Sequence, residues 1–584
     1  MAKKVAPPKF VPPTEVEVVY DLDRLPSAQH KAGLAGLLLL IEDMTERRAK
    51  GRLKPDTRPI PEVIAQTPSG ATICFTASSV QSLFDDLYDA EPFEIKSKTK
   101  WAGTAEKRID LNPDAKGDEP KRYFVYDSVK PSGHFLANYT EGDKEHWHKL
   151  WRDMLYAVPR NKPTTRQAYK TRAEDNPTKE GSDAWKLLVE REKAKFRGAL
   201  ATVELAGSLM LAVQAVTAEA VPFLDRVEDQ LLLHFWVLTA RIFVPQVIDE
   251  EGKNEYVGYA LAIPEVADLG EFNRAYKGWL RKLGTERAGY RPRGAVVALP
   301  EQGPLEFLEN LDRLVVERTL DSRPARYLTG VEFFHMVVAG NNVKLRGHGR
   351  IPVVEALVEK YSNLSQAYDN PIVLRGLLLA MLRCQPWFAE LKMALHEREW
   401  SFLVHCTQER RRTPTAMIGF AWEVRKKFLE LVREMIEPME SATENHKTVD
   451  AIIFQLVGEF VKERACQRAG VKLDDPKWLE KTGEERRDVG SKFFLEMRSR
   501  HGDDFVNYFS DTIASVAQRQ LRFQDSFLLV ARALMNHQGG SGGEDRPRTR
   551  DDIKLLTLLA LSGQSASIRQ KETNPTAPAP ETAE

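Results

Sequence analysis

The stretch "LPSAQHKAGLAGLLLLIEDM" at residues 25–44 combines a helix start, two glycines and an unbroken apolar run. A helix that crosses a membrane needs about 20 apolar residues. The run at 32–41 is much shorter and ends in two acids. Because Pro26 and Ser27 precede it as start signals, we predict a buried helix of a soluble protein.

Gly33 and Gly36 lie three residues apart inside this predicted helix. Each glycine costs a helix interior about 1 kcal/mol relative to alanine, and close approach of a neighbouring backbone explains that cost. The pair lacks the third glycine of a dinucleotide-binding loop, and the chain contains no phosphate-loop motif. His30 and Lys31, at the start of the stretch, either face nucleic acid or only cap the fold.

The composition is that of an ordinary globular protein, with 42% hydrophobic and 29% charged residues over 584 positions. A chain of this length usually forms two or three domains. Lys+Arg and Asp+Glu both total 84, so any case for nucleic-acid binding has to rest on local clusters. The four cysteines form no CxxC pair, which argues against a structural zinc site and favours a reducing cytoplasm. The start "MAKKVAPPKFVPP" has no apolar core, so we expect no secretory signal.

Strand and helix patterns alternate in the first part of the chain, and helical patterns fill the second part. The sequence therefore predicts the α+β class, with a mixed N-terminal body that has antiparallel sheet elements, followed by an all-α C-terminal helical bundle. The predicted segments are a disordered tail at 1–15, the body at 16–351, a helical connection at 352–415, the bundle at 416–537, a flexible linker at 538–550, a short helix at 551–563 and a disordered tail at 564–584.

Within the body, "TEVEVVYDL" predicts a short strand before the opening helix. Residues 94–172 are polar and basic around short apolar pieces and should form strands and long loops. The segment 183–216 predicts one or two long helices, and the apolar stretch 201–223 is interpreted as a buried helix. A compact α+β unit is expected at 231–351, where strand and helix periods alternate.

Residue pairs that would support catalysis are few. His146 and His148 in "EHWHK" would share one face of a strand as metal ligands, but no third ligand stands nearby, so exposed imidazoles around a packing Trp147 are the simpler interpretation. His405 and Cys406 are adjacent, and neighbours on a helix point about 100° apart, which does not suit a base and its nucleophile. We expect no enzyme activity, no metal and no cofactor.

The segment "VPRNKPTTRQAYKTR" at 158–172 is rich in cations and contains no acid. Its cations stand among short hydrogen-bonding side chains in a proline-marked loop, a composition that suits phosphate contacts. A solvated loop is an equally good interpretation. The candidate residues are Arg160, Lys162, Arg166, Lys170 and Arg172.

A second cluster, "AGNNVKLRGHGR" at 339–350, joins a turn with two asparagines to a basic strand. If the strand is regular, its alternate cations all point to one face, where they repel one another unless a polyanion or acids lie opposite. Asparagine can contact base edges, because its amide both donates and accepts. An ordinary hairpin turn with a solvent-facing strand fits equally well. The candidate residues are Asn341, Asn342, Lys344, Arg346, His348 and Arg350.

Arginines also recur near the predicted helix ends of the C-terminal bundle. Helix C-termini favour cations in any protein, so these arginines either compensate helix dipoles or form a stripe along a nucleic-acid backbone. The candidates are Arg464, Arg468, Arg486, Arg487, Arg498, Arg500, Arg519 and Arg522.

Two blocks resemble the large subunits of type I CRISPR interference complexes (Cascade) of the type I-B-like branch. They are "VVYDLDRLPSAQHKAGLAGLLLLI" at 18–41 and "GVEFFHMVVAGNNVKLRG" at 330–347. The order of an α+β body and a helical C-terminus agrees with such subunits. The resemblance covers the whole chain at the level of architecture, and its specific motifs are these two blocks.

This resemblance implies a non-catalytic protein that recognises a protospacer-adjacent motif in double-stranded target DNA and helps to open the duplex, while the guide RNA reads the target by base pairing. The bundle arginines would then lie along the displaced strand. The implied protein partners are the backbone, 5′-end-holding and small subunits of the complex, and a recruited helicase-nuclease or transposition adaptor.

In this branch the small subunit can be the C-terminal bundle made from an internal start, for which Met417, Met435 and Met439 are candidates. The alternative function is a helical scaffold or adaptor that binds only protein, with every basic cluster a solvated face. A metal-dependent hydrolase that uses His146 and His148 is a third hypothesis.

Overall fold

The computed structural model divides the chain into two compact units. The first comprises residues 1–246 and 256–360, and the second comprises 247–255 and 361–584. The structure describes residues 10–51, 59–100, 106–112, 121–132, 134–135, 164–205, 209–211, 219, 221–248, 254–282, 295–316, 323–339, 342–404, 419–436, 446–519, 524–536 and 543–566. The first unit carries mainly antiparallel sheets and the second is helical, which confirms the predicted α+β class.

The opening stretch forms the helix α1 (Ala28–Ala49), and most of its residues are buried. The helix begins after Ser27, whose hydroxyl accepts a hydrogen bond from the backbone N–H of His30. Among the helices that the structure describes, none has both the length and the apolar character required to span a membrane. The predicted helix and its start are confirmed.

The two glycines of α1 lie directly against another backbone. A Cβ added to Gly33 would be 2.2 Å from the carbonyl oxygen of Leu232, and one added to Gly36 would be 2.2 Å from that of Phe235. Real Cβ atoms do not tolerate such distances, so only glycine allows α1 to pass this close. The close backbone approach predicted from the sequence is confirmed.

Strand β1 precedes α1 in the chain, and five strands that follow α1 complete two small antiparallel sheets, in the orders β1-β3-β2 and β4-β6-β5. Their strands are β1 (Glu15–Asp21), β2 (Glu62–Thr67), β3 (Gly70–Thr76), β4 (Ala90–Ser97), β5 (Arg108–Asn112) and β6 (Lys121–Pro131). Val16, Val18 and Tyr20 of β1 are buried and alternate with less buried residues, as the predicted strand requires.

The described helices between residues 77 and 196 include one in the region 94–172, where the sequence predicted strands and long loops. They are α2 (Ala77–Leu87), α3 (Thr164–Ala173) and α4 (Lys179–Phe196). The loop prediction is wrong for α3, because Ala168 and Tyr169 form a buried face that packs the segment as a helix. The long helix predicted at 183–216 ends at Phe196.

The apolar stretch 201–223 contains a strand, so the prediction of one buried helix there is wrong. Its described start is β7 (Thr202–Glu204), which pairs antiparallel with β8 (Leu224–Arg226). The β-branched Thr202 and Val203 favour a strand, and the partner that completes the pairing lies more than 20 residues away in sequence, at Asp225.

The main sheet has six strands in the order β10-β9-β11-β13-β14, with β12 parallel to β9. The strands are β9 (Arg241–Ile248), β10 (Asn254–Tyr256), β11 (Tyr259–Val266), β12 (Val296–Val297), β13 (Leu328–Ala339) and β14 (Asn342–Pro352). The helices nearest in sequence are α5 (Val227–Leu232), α6 (Leu269–Lys282) and α7 (Gln302–Val316), with 3-10 turns at Leu22–Arg24, Trp236–Leu238 and Pro324–Arg326. Both α1 and α7 pack against β11. The predicted alternation of strands and helices is confirmed.

The second unit is built from helices around a shared core. They are α9 (Pro371–Leu382), α10 (Lys392–Glu397), α11 (Trp400–Val404), α12 (Phe420–Ile436), α13 (His446–Ala469), α14 (Trp478–Lys481), α15 (Gly483–Ser499), α16 (Gly502–Thr512), α17 (Ala514–Arg519), α18 (Gln524–Met535) and α19 (Arg550–Gln564), with a 3-10 turn at Ala389–Leu391. The helix α8 (Glu355–Ala367) spans the boundary between the units.

The last helix, α19, lies at the centre of this unit and packs against α12, α13 and α15. Its Ile553, Leu556 and Leu559 are fully buried. The predicted flexible linker at 538–550 does not describe the residues before α19, because the buried Arg548 donates to both carboxylate oxygens of Asp450 at 2.9 and 3.0 Å. A glycine-rich composition suggested flexibility, whereas a charge pair distant in sequence holds the segment.

Candidate nucleic-acid interface

The β13–β14 hairpin extends beyond the sheet that carries it. The pairing of β11 with β13 ends at Tyr259 opposite Met336. The end of β13 and the start of β14 continue as a pair from Val337 opposite Lys344 to Ala339 opposite Asn342. A two-stranded extension that carries Lys344 therefore continues beyond the end of β11. Asn341, at its turn, and the side chain of Asn342 lie outside the described residues.

A β-bulge changes the faces of β14. Lys344 is opposite Val337 and His348 is opposite Phe334, so Arg346 is an extra residue without a partner on β13. Residues three apart on β13 point to opposite faces. The prediction that all four cationic positions share one face is therefore wrong, because the bulge places Lys344 on the face opposite to His348.

The side chain of Arg350 forms hydrogen bonds within the first unit. Its Nε donates to Glu265 Oε2 at 2.7 Å, and a second nitrogen donates to the carbonyl oxygen of Thr329 at 2.8 Å. A Cβ on Gly330 would be 2.7 Å from the guanidinium carbon, so glycine at that position lets Arg350 cross β13. Lys31 donates to the other oxygen of Glu265 at 3.1 Å.

Glu265 thus joins two of the predicted site residues. Burial raises its pKa, but hydrogen bonds from Arg350, Thr329 and Lys31 outweigh burial and hold the pKa below its usual range. The carboxylate is therefore ionised at neutral pH and compensates both cations. We assign Lys31 and Arg350 to fixing α1 and β14 against β11.

His348 belongs to the same face as Arg350. Its ring lies 4.5 Å from the ring of Phe334, and its Nε2 is 4.0 Å from Glu332 Oε2. Burial raises the pKa of Glu332, and the neighbouring His348 opposes that shift. Two of the four cationic positions predicted on β14, His348 and Arg350, thus lie close to acidic side chains of the first unit.

Lys344 and Arg346 differ from these two residues. Both are exposed, and their side chains make no hydrogen bond or ion pair with any residue that the structure describes. Leu345 stands between them with 43% of its surface exposed. Sequence reasoning missed Leu345, because an apolar residue in a strand normally indicates core.

His30 is buried, and both nitrogens of its ring lie within hydrogen-bonding distance of other side chains. Its Nδ1 is 2.7 Å from Ser27 Oγ and its Nε2 is 2.9 Å from Asp225 Oδ2, with 1% of the residue exposed. Nearby, burial raises the pKa of Asp229 to about 6, helped by the charges of Asp225 and Glu228. Of the two interpretations of His30, the structure supports capping of the fold and removes contact with nucleic acid.

The basic segment at 158–172 is only partly described. Arg160 and Lys162 lie outside the described residues, as does the side chain of Arg166. Lys170 is exposed on α3, whereas Arg172 is buried and donates to Asp89 at 3.2 Å and to the carbonyl of Asn176 at 2.9 Å. Arg172 therefore holds α3 in place and is removed from the candidate interface.

The small sheet β4-β6-β5 neutralises cations in the basic region 94–172. Arg108 forms a two-pronged pair with Glu94 at 2.7 and 2.9 Å, and Lys107 reaches Asp127 at 2.9 Å. Hydrogen bonds from Arg108 and Lys107 lower the pKa of Glu94. These cations form an exposed ion-pair network on the sheet itself.

Some of the arginines of the helical unit are structural. Arg486 is buried and donates to the carbonyl of Gln564 at 3.1 Å; burial lowers its pKa to about 10. Arg498 donates to the carbonyls of Arg398 and His396. These two residues hold helices together, so they are removed from the candidate displaced-strand contacts.

The other bundle arginines are less engaged. Arg487 bonds the carbonyl of Gly483 in its own helix, and Arg500 pairs with Asp504 at 2.8 Å. Arg464 and Arg468 are exposed on the last turns of α13. Arg522 and the side chain of Arg519 lie outside the described residues.

Four residues were considered for metal binding or nucleophilic catalysis, and all four lie outside the described residues. They are His146, His148, His405 and Cys406. Within the described ranges, no group of three or more His, Cys, Asp or Glu side chains is placed to hold a metal ion.

Two family models match the chain. The model of the type I-B CRISPR Cas8b N-terminal domain matches residues 60–320, and that of the Cas8b C-terminal domain matches residues 328–564. The boundary lies between α7 and β13, although pairing with β11 makes the hairpin part of the first unit. The curated proteins searched contain no match.

Proposed function

Because this chain belongs to the Cas8b family, the large subunits of type I-B CRISPR complexes, we propose that it recognises a protospacer-adjacent motif in duplex DNA. The β13–β14 hairpin makes this contact, and the bound subunit then helps the guide RNA to open the duplex. The supporting observation is the tip of β14, where Lys344 and Arg346 are exposed without an acidic partner among the described residues. Two such cations beside Asn342 suit a backbone contact next to a base-edge contact.

Other exposed cations serve the same DNA at a distance from the motif. Lys170 and the segment with Arg160, Lys162 and Arg166 contact phosphates, and Arg464 and Arg468 contact the displaced strand and stabilise the R-loop. Contacts of this kind contribute affinity without sequence information. The protein itself is non-catalytic in this proposal, and cleavage or transposition belongs to a recruited partner.

The subunit works in the cytoplasm in a complex with guide RNA, the backbone subunits, the subunit that holds the 5′ end of the guide and small subunits. A product that starts inside the same gene supplies the small subunit, since the helical second unit has a core of its own.

Binding of the full chain to duplex DNA tests the hairpin directly. Lys344→Ala combined with Arg346→Ala should weaken binding to a motif-bearing duplex by about tenfold and reduce the slope of log affinity against log salt by about two. Asn341→Ala with Asn342→Ala should reduce the preference for the motif. Lys179→Ala, an exposed lysine of α4 in the same unit, is the control and should change neither. Unaltered affinity, slope and preference in the hairpin variants would refute the assignment.

The segment before α3 has a separate test. Neutralising Arg160, Lys162 and Arg166 should flatten the salt dependence of binding and leave the motif preference intact, because phosphate contacts carry no sequence information. A salt slope equal to that of the unmodified chain would remove this segment from the interface.

A further inference from the structure

Four helices of the second unit meet near His396, in the last turn of α10. Arg498 of α15 donates to the carbonyl oxygens of His396 and Arg398, the latter at 2.9 Å. Lys554 of α19 donates to the carbonyl oxygen of Arg498 at 3.2 Å, and its Nζ is 3.4 Å from Nδ1 of His501, which precedes α16. A short chain of hydrogen bonds therefore brings basic side chains together beside His396.

The charges that act on the imidazole of His396 are mainly positive. Burial lowers the pKa of this ring, and neighbouring basic groups lower it further. In order of effect, these groups are Lys554, Lys392, Arg498 and His501. Since the usual pKa of a histidine is about 6.5, the ring is neutral at neutral pH. Burial also lowers the pKa of Lys554, which Asp551 opposes and Lys392 reinforces.

Contacts with backbone carbonyls explain two of these cations. Lys554 donates at the C-terminal end of α15, and Arg498 donates at the C-terminal end of α10. Cations are favourable at such helix ends in any protein. Lys392 is different, because it is the first residue of α10 and the start of a helix disfavours a cation. Helix dipoles therefore do not account for Lys392.

The side chains of Lys392 and His396 are available for a ligand. Neither forms a hydrogen bond or ion pair with any residue that the structure describes, whereas Arg500 and Arg550 of the same unit each pair with an aspartate at 2.8 Å. Residues four apart on a helix are neighbours on one face. Lys392 is exposed and His396 is partly exposed, so both can be reached from solvent.

We propose that Lys392 and His396 form a phosphate-binding site on the surface of the second unit. A lysine ammonium and an imidazole N–H both donate hydrogen bonds to phosphate oxygens, and Arg498 and Lys554 add positive charge behind them. Because a bound anion compensates the charge of a protonated His396, binding strengthens as the pH falls. The site does not depend on the proposed recognition of a flanking motif. A nucleic-acid backbone and free phosphate both offer the required group.

The test follows the ring of His396 by NMR in the full chain with ¹³C-labelled histidine, and His396→Gln identifies its signal. Inorganic phosphate should raise the midpoint of the His396 titration by about one pH unit, the shift that accompanies about tenfold tighter binding to the protonated ring. Sodium chloride at the same ionic strength controls for screening and should raise the midpoint by less than about 0.3 unit.

Lys392→Gln should remove most of the phosphate-dependent shift. Lys472→Gln is the matched control, since Lys472 is an exposed lysine elsewhere in the second unit, and it should leave the shift unchanged. Circular dichroism checks that both variants fold. A midpoint that phosphate moves equally in Lys392→Gln and in the unmodified chain would overturn the site.

A short single-stranded oligonucleotide without a terminal phosphate identifies the source of the ligand. A shift with this probe assigns the site to a nucleic-acid backbone, and a shift with inorganic phosphate alone assigns it to a free phosphate. If neither probe moves the midpoint beyond the chloride control, the proposal is refuted. Because the readout is the His396 ring, this failure is distinguishable from a loss of motif recognition.

Discussion

Gly33 and Gly36 set the distance at which α1 passes the chain at residues 232–238. An added Cβ would be 2.2 Å from a backbone carbonyl oxygen at either glycine, so no side-chain rotation can relieve the clash. We expect Gly36→Ala to lower the free energy of unfolding of the first unit by about 2 kcal/mol or more, measured by urea denaturation.

Gly278→Ala is the matched control for this change. Gly278 also lies inside a helix, α6, but its added Cβ would meet only Leu314 Cδ1 at 3.7 Å. Alanine should raise stability there by about 0.5–1 kcal/mol, since it reduces the entropy lost on folding. Equal losses at Gly36 and Gly278 would contradict the packing argument.

Glu423, in the first turn of α12, makes the second unit sensitive to pH. Burial raises its pKa to about 7, although hydrogen bonds from the backbone N–H groups of Asp369 and Asn370 oppose the shift. The usual value in an unfolded chain is about 4.3. Because the folded state binds the proton more tightly, stability should fall as the pH rises from about 4.3 to about 7.

Glu423→Gln should flatten this part of the pH profile, because an amide does not titrate. Thermal unfolding of the second unit, followed from about pH 4 to about pH 8, measures this profile. The range covers the usual pKa of a glutamate and the raised pKa of Glu423 in the folded unit. A decline over this range that is as steep in the variant as in the unmodified chain would show that Glu423 is not its source.

At the residue scale, the sequence predicts features whose cause is local. The glycine pair was predictable, because a glycine inside a helical period has few explanations. His30 was not, because its partner Asp225 stands 195 positions later, and a histidine at a helix start is compatible with both capping and binding.

At the scale of elements, α19 depends on one buried charge pair. Arg548 donates to both oxygens of Asp450, which also accepts from Trp387 Nε1 at 3.1 Å. Asp450→Ala leaves the arginine buried and uncompensated, so we expect a loss of about 3–5 kcal/mol in the stability of the second unit. Chemical denaturation followed by circular dichroism measures it.

A double-mutant cycle separates this pair from general packing. Asp450→Ala with Arg548→Ala should lose much less than the sum of the single changes, since the double variant buries no lone charge. Strict additivity would show that the two groups do not depend on each other.

The hairpin shows what a periodic pattern predicts and what it misses. Both strands and the turn were predictable from alternating residues around "GNN". The bulge at Arg346 was not, because it is defined by register against β13. The cations of β14 therefore do not all lie on one face of the strand, as the alternating pattern predicted. The exposure of Leu345 could be recognised only from the structure.

At the scale of the molecule, the helical unit limits where a separate bundle can start. Helix α12 packs against α13 and α19, with Phe428 stacked on Phe454 at 4.7 Å. A start at Met435 or Met439 would remove α12, whereas a start at Met417 would keep it. We expect the product from Met417 to unfold cooperatively and the product from Met439 to lack a cooperative transition, measured by circular dichroism. A cooperative transition in the shorter product would contradict this choice of start.

The architecture was more predictable than the interface. Helical periods and strand alternation predict an α+β body and a helical end without knowledge of contacts. The partners of each charged residue depend on folding, as the buried Arg172 and Arg486 illustrate. Charge clusters in the sequence therefore overstate the number of cations that remain available to DNA.

Selection of the flanking motif by the start of β14 can be measured with a library of targets that carry randomised flanking bases. Complexes with the unmodified chain should enrich one short motif. Complexes with Asn342→Ala, Lys344→Ala and Arg346→Ala combined should lose that enrichment and still bind single-stranded target through the guide RNA. Enrichment of the same motif to the same degree by both complexes would show that these residues of β14 do not select it.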